Sequence, residues 1–158
     1  MVSPHRTKRP WQGKTEKSAT TDLPVYDPSC YLCPTNERMG GEFNPSYEKP
    51  YSFVNDFSTL LPNVKEESYK NGLLYAESES GICKVVCFSP NHSLTLPLMS
   101  VSEIADVISL WQKEYKELGA VDGIKHVQIF ENKGGIMGCS NPHPHGHRIK
   151  FHRKYIRK

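Results

Sequence analysis

Only one stretch of this sequence carries a helical repeat, and that limits the folds open to it. From about Val101 to Leu118, Ile104, Val107, Ile108, Trp111, Tyr115 and Leu118 recur at steps of three and four, the spacing that gathers side chains on one buried helix face. Ser100 and Glu103 form a capping box at its start, and Gly119 stands where a helix C-terminus favours a left-handed residue. Elsewhere the apolar runs are short. Tyr51 to Asn55, Cys83 to Ser89 and His126 to Glu131 are β-branched or aromatic and bounded by Asn, Gly or Pro, which reads as strands. Residues 1–50 carry the turn signals Asp27-Pro28, Gly40-Gly41 and Asn44-Pro45 and predict long ordered loops. The charged stretch from Asn63 to Gly72 reads as a surface loop. Strands on either side of one helix predict an antiparallel-leaning α+β domain.

The 158 residues suffice for one buried core. A hydrophobic share of 37% and a charged share of 23% suit a globular protein, and no stretch approaches the roughly 20 apolar residues that span a bilayer. No apolar run follows the basic residues of Met1-Val2-Ser3-Pro4-His5-Arg6, so no signal peptide is expected and the predicted setting is cytoplasmic. Five cysteines, an odd number, then point to reduced thiols or metal ligands rather than disulfides. The net charge of +3 is uneven: Arg148, Lys150, Arg153, Lys154, Arg157 and Lys158 lie in the last twelve residues, and removing those six charges takes +3 to −3. The basic balance is thus no sign of a nucleic-acid partner.

Cys30-Tyr31-Leu32-Cys33 is a CxxC in a predicted turn, the spacing with which one loop supplies two thiolates to a tetrahedral zinc. Two more ligands are required, and His92 and His143 are candidates. The alternative is a pair of buried cysteines near a turn; a thioredoxin-like redox pair is disfavoured because no βαβ pattern follows. Cys83 and Cys87, four apart on a predicted strand, face one side and read as core.

His143-Pro144-His145-Gly146-His147 places three imidazoles two residues apart, and extended backbone aims such residues to one side. Pro144 removes an N–H from any ladder, which predicts an edge strand. Upstream, Asn132 to Ser140 is a glycine-bearing loop whose backbone amides suit a phosphate. A neutral imidazole is a good nucleophile, and attack on phosphorus gives a phosphoramidate that splits one hard transfer into two easier steps. Metal binding or a wet surface is the other reading of such a cluster.

Four segments carry a resemblance: Val2-Ser3-Pro4-His5-Arg6-Thr7-Lys8-Arg9-Pro10-Trp11, Asp27-Pro28-Ser29-Cys30-Tyr31-Leu32-Cys33, Cys87-Phe88-Ser89-Pro90-Asn91-His92, and Phe130-Glu131-Asn132-Lys133 through Gly146. Together they resemble galactose-1-phosphate uridylyltransferase, in the histidine-triad superfamily. The resemblance implies a histidine-triad-like antiparallel half-barrel sheet with one main helix and long N-terminal loops. It implies His145 as the nucleophile that takes UMP from UDP-glucose and passes it to galactose 1-phosphate, and Cys30, Cys33, His92 and His143 as structural zinc ligands. Leu32, Asn55, Asp56 and Phe57 then match the uridine site, Asn132, Gly138, Cys139 and Ser140 the loop around the phosphates, and Arg6 and Arg9 the nucleotide's basic anchors. The implied partners are UDP-glucose, UDP-galactose and hexose 1-phosphates, with neither nucleic acid nor membrane, and a homodimer for the full-length family.

The match fades after Gly146. Where the family carries a Gln and then a Trp-bearing strand, this chain has His147 and a basic end. The expected division is a uridylyltransferase N-terminal domain over 1–146, incomplete because full members run on for roughly another domain's length, and an unrelated basic tail over 147–158. His147 can donate a hydrogen bond in the Gln's stead, and a third histidine also suits a histidine-triad hydrolase. A catalytically inactive zinc-binding fragment is the remaining alternative; a zinc or nucleic-acid-binding module lacks finger spacing and interleaved aromatic and basic residues.

Overall fold

A computed structural model describes residues 22–121, 124, 126–134, 137, 139 and 141–151, the last four of these by their backbone alone. Six strands and one long helix follow in order: β1 (Tyr51–Val54), β2 (Ser68–Asn71), β3 (Leu74–Glu77), β4 (Gly81–Cys87), α1 (Val101–Gly119), β5 (His126–Phe130) and β6 (His145–Phe151), with a short 3-10 turn at Leu96–Leu98 before the helix. β1, β4, β6 and β5 form a four-stranded sheet in that order, antiparallel throughout, and β2 and β3 form a separate hairpin. The sheet does not close into a barrel. The expected α+β class with one main helix is what the chain adopts, and among the described residues no helix is long and apolar enough to cross a membrane.

β4 is covered on both sides, and alternation along it explains how. Val86, with Phe88 just beyond the strand, packs against Met99, Val107 and the flank of α1. Val85 and Cys87 point the other way, into a second cluster with Cys30, Leu32, Cys33, Tyr47 and Phe53. The N-terminal loop therefore fills the face that a second helical layer covers in other two-sided sheets. Residues opposite one another in an antiparallel pair share a face, so the register carries this division outward. Phe53 opposite Val85, and His145 and His147 opposite Cys87 and Val85, join the loop face; Ser52 and Gly146, opposite Val86, join the helix face.

The capping box at Ser100 and Glu103 forms as expected, but the buried face of α1 is turned from the one read in the sequence. Ile108 and Tyr115 are exposed, whereas Glu114 is buried beside Val107 and Leu118. The cause is Lys84 on β4, whose Nζ lies 2.8 Å from Glu114 Oε2, with Ser52 hydrogen-bonded to the same carboxylate. That ion pair draws the 107, 111, 114 and 118 stripe onto the sheet. Gly119 closes the helix without a left-handed residue, since Ala120 follows in right-handed conformation and donates to Lys116 O. Two further expectations are corrected. Ser68–Asn71, within the predicted surface loop, pairs with Leu74–Glu77 across a turn in which Gly72 has φ +59°; short, fully exposed strands carry no burial pattern to read. And β6 is an interior strand, because Pro144 precedes the ladder and loses no bond within it.

Replacing Lys84 with Met removes the Lys84 ammonium from the buried Glu114 carboxylate, which is expected to cost about 3 kcal/mol of unfolding free energy in urea titrations. The double variant Lys84→Met, Glu114→Leu should recover most of that loss; additive losses would show that the pair does not hold α1 to the sheet.

Candidate metal centre and adjoining cavity

The CxxC folds as a tight turn: Cys33 N donates to Cys30 O at 3.1 Å and Leu32 N lies 3.4 Å from Cys30 Sγ. Asn36 Nδ2 donates to the carbonyls of Asp27 and Cys30, and Asn44 Nδ2 to those of Tyr31 and Cys33. The carbonyls of Asp27, Cys30 and Cys33 also accept backbone N–H bonds within the turn, so the two side-chain amides give these three a second bond and supply one to Tyr31 O. Against this turn stand His92, past the end of β4, and His143, at the entry to β6. Cys33 Sγ is 3.6 Å from Nδ1 of each. All four residues are buried, and their ligand atoms lie within 4.8 Å of one another, so the group can hold a metal ion.

The surroundings suit that role. His143 Nε2 donates to Ser89 O at 2.9 Å, which leaves the Nδ1 lone pair facing Cys33, the arrangement in which a second partner fixes a ligating imidazole. Asn141 accepts from His143 N at 2.9 Å and sets its amide nitrogen 3.5 Å from Cys30 Sγ. Burial, with help from the neighbouring His92, pushes His143 down to about 4 and keeps it neutral, while burial pushes the Cys33 thiol up to about 11. A cation bound here must displace that thiol proton.

On the same face of the sheet lies a cavity of about 250 Å³. Leu32, Asn55, Asp56 and Phe57 line it from the N-terminal side, and Asn132, Cys139, His145 and His147 from the other. Eight of the residues singled out in the sequence for substrate or catalysis therefore share one concave wall. Arg6, Arg9, Gly138 and Ser140 lie outside the described residues. Sequence reasoning missed Tyr31, Met39, Phe53 and Val85, which also line the cavity; Phe53 stands two residues before Asn55, and Val85 between two inward cysteines, so strand alternation carried a signal for both. Asn36, Asn44, Tyr47 and Asn141 around the metal group left no comparable mark.

His145 is the half-buried imidazole of that wall. Its Nδ1 lies 2.7 Å from the carbonyl oxygen of His143, a bond that places the proton on Nδ1 and the free lone pair on Nε2. His147 sits two residues on with its ring 5.1 Å from that of His145, against Phe130, and burial lowers its pKa. Gly146 between them has no room for a side chain: a Cβ would stand 2.8 Å from Phe88 Cζ and 2.9 Å from Phe130 O. Phe88 in turn meets Trp111 of α1 edge-on at 5.7 Å, so the helix face supports the strand that presents both imidazoles.

The family model for the N-terminal domain of galactose-1-phosphate uridyl transferase matches residues 1–153. The chain belongs to that family. It is 55% identical over 147 residues to galactose-1-phosphate uridylyltransferase of Haemophilus influenzae, covering 92% of this chain and 42% of the relative. To that of Saccharomyces cerevisiae it is 46% identical over 159 residues, covering 92% and 43%. The chain thus spans about two-fifths of the length of these curated relatives. A solved uridylyltransferase, 20% identical, superimposes with a TM-score of 0.64 over 80% of this chain and 40% of its own, a likeness of fold. The boundary expected after Gly146 falls inside β6, which runs to Phe151.

Two pH effects follow, with opposite origins. Between the ordinary histidine range near 6.5 and about 4, the unfolded chain takes up a proton that buried His143 refuses, so metal-free stability should fall as pH drops through that window. Metal affinity should weaken by about tenfold for each pH unit lost through the Cys33 proton alone. Denaturant titrations and competition with a chelator across pH 5–8 check both; flat profiles would contradict the burial described.

Proposed function

We propose that this chain forms the nucleotide-binding and nucleophile-bearing part of a UDP-glucose–hexose-1-phosphate uridylyltransferase, working by a ping-pong mechanism through a uridylyl-histidine at His145. The observation that carries the reading is the His145 Nδ1 bond to the His143 carbonyl in the wall of the cavity. Nε2 attacks the α-phosphorus of UDP-glucose; an N–P bond forms, the P–O bond to glucose 1-phosphate breaks, and glucose 1-phosphate leaves with that electron pair. The Nδ1–H keeps its bond to the carbonyl as the ring gains positive character. A phosphate oxygen of galactose 1-phosphate then attacks the same phosphorus, the N–P bond breaks, and UDP-galactose departs.

In this reading Leu32 and Phe57 are apolar walls for the uracil, and Asn55 and Asp56 meet polar atoms of the nucleoside. Asn132, Gly138, Cys139 and Ser140 form the loop around the phosphates, which Arg6 and Arg9 anchor through charge-assisted bonds. The ion suited to Cys30, Cys33, His92 and His143 is zinc. The 3.6 Å separations from Cys33 Sγ to the two imidazoles are close to the ~3.5 Å edge of a tetrahedron with bonds of about 2.3 Å to sulfur and about 2.0 Å to nitrogen. Four protein ligands leave no open position, so the metal's part is to brace the fold. The five unpaired cysteines suit a reducing cytoplasm, and the full-length enzyme is read as a homodimer.

A second reading rests on His147, which packs against His145 in the cavity wall. A neutral imidazole there can activate water against the uridylyl-histidine, breaking the N–P bond and releasing UMP. Incubation with UDP-glucose followed by intact-mass measurement should add one uridylyl group to the chain, and His145→Ala should abolish the gain. UMP release without a sugar-phosphate acceptor, lost in His147→Gln, would favour the second reading. No adduct and no UMP would sink both.

A further inference from the structure

Arg38 is outside the wall of the cavity, yet it stands behind two residues that form that wall. Its side chain is only 6% exposed, and a guanidinium so deeply buried must be held by opposite charge. Glu42 pairs with one edge of it. Its carbon lies 4.3 Å over the ring of Phe53, an attraction between cation and aromatic face. Nε, buried and without a hydrogen-bond partner, lies 3.8 Å from Asp56 Oδ2. Phe53 and Asp56 both line the cavity.

A second contact confines Asp56 from another side. A Cβ at Gly40 would come within 2.9 Å of Asp56 Oδ1 and 3.0 Å of Cγ, so the bare backbone of Gly40 is pressed close to the carboxylate. Held between a buried cation and that backbone, Asp56 has little freedom to turn away, and a carboxylate offers only acceptors to a ligand. A carboxylate held rigidly at the wall of a nucleotide cavity matches one ligand feature above others, the vicinal diol of a ribose, whose two hydroxyls donate together.

We infer that Arg38 is a positioning residue: through its contact with the Asp56 carboxylate it makes the cavity select ribonucleotides over 2′-deoxyribonucleotides. This rests on the reading of the cavity as a uridine-nucleotide site. Arg38 acts through Asp56 and does not touch the nucleotide.

Calorimetric titration of the full chain with UMP and with 2′-deoxy-UMP tests it, with circular dichroism confirming that each variant is folded. The unsubstituted chain should bind UMP about tenfold more tightly than the deoxynucleotide, the scale of one hydrogen bond to a charged group. Arg38→Gln should bring the two affinities within about threefold, chiefly by weakening UMP, and Arg38→Lys should restore part of the difference. Gly40→Ala leaves Arg38 in place and crowds Asp56 from the other side; it should shrink the same ratio, which keeps the test decisive if Arg38→Gln does not fold. An unchanged ratio in the folded variants, or equal weakening of both nucleotides, would overturn the proposal, as would equal binding of the two by the unsubstituted chain. Failure of the unsubstituted chain to bind UMP at all would instead remove the site reading and the proposal together.

Discussion

The contact between Cys33 and His143, residues 110 apart in sequence, holds this molecule's two halves in register. One belongs to a loop with almost no regular structure, the other to the entry of an interior strand. Each also carries part of the cavity. Leu32, between the two cysteines, lines it, and the His143 carbonyl orients His145. A metal ion bound at Cys30, Cys33, His92 and His143 would therefore fix the cavity's N-terminal wall and the tautomer of its imidazole in one step. Long loop closures are entropically expensive, and here the closure coincides with the place where geometry matters most. Tyr47 adds a further tie, its hydroxyl donating to Leu32 O at 2.5 Å and standing 3.2 Å from His143 Nε2.

The second constraint is the β4–β6 register. With Cys87 opposite His145 and Val85 opposite His147, both imidazoles emerge on the loop face, and Gly146 alone points toward Phe88 and the helix. A slip of one residue would reverse this, sending both rings into the apolar cluster beneath α1. The tight fit of Gly146 against Phe88 and Phe130 O and the buried Lys84–Glu114 pair across the same face both penalise such a slip. Packing on the side away from the cavity thus sets what the cavity presents.

Much of this was legible in the sequence, for identifiable reasons. The helix announced itself through its period and its capping box, and strands β1, β4 and β5 through short β-branched or aromatic runs. The metal group was legible at Cys30 and Cys33, where spacing alone speaks; His92 and His143 stood out as candidates, but only the resemblance joined them to the cysteines, because ligands more than fifty residues apart leave no local trace. What could not be read depended on partners elsewhere in the chain. Glu114 looks like a surface residue until Lys84 is opposite it, and that pairing moved Ile108 and Tyr115 into solvent. Pro144 suggested an edge strand, yet a proline one residue before the ladder costs an interior strand nothing; its carbonyl even accepts from Phe88 N at 2.9 Å.

The histidine run shows how one motif divides its labour. Alternation in the sequence treats His143, His145 and His147 as equivalent, yet the strand begins only at His145. His143, before it, is free to turn inward, lose its water and become a neutral ligand whose backbone carbonyl still faces the next histidine. His145 then receives its orientation from that carbonyl rather than from an acidic side chain, so the group that orients the ring brings no negative charge to it. A carboxylate in that place would orient the ring equally well and repel any anion entering the cavity. A main-chain carbonyl, anchored by a buried ligand on the same residue, gives the orientation without the repulsion.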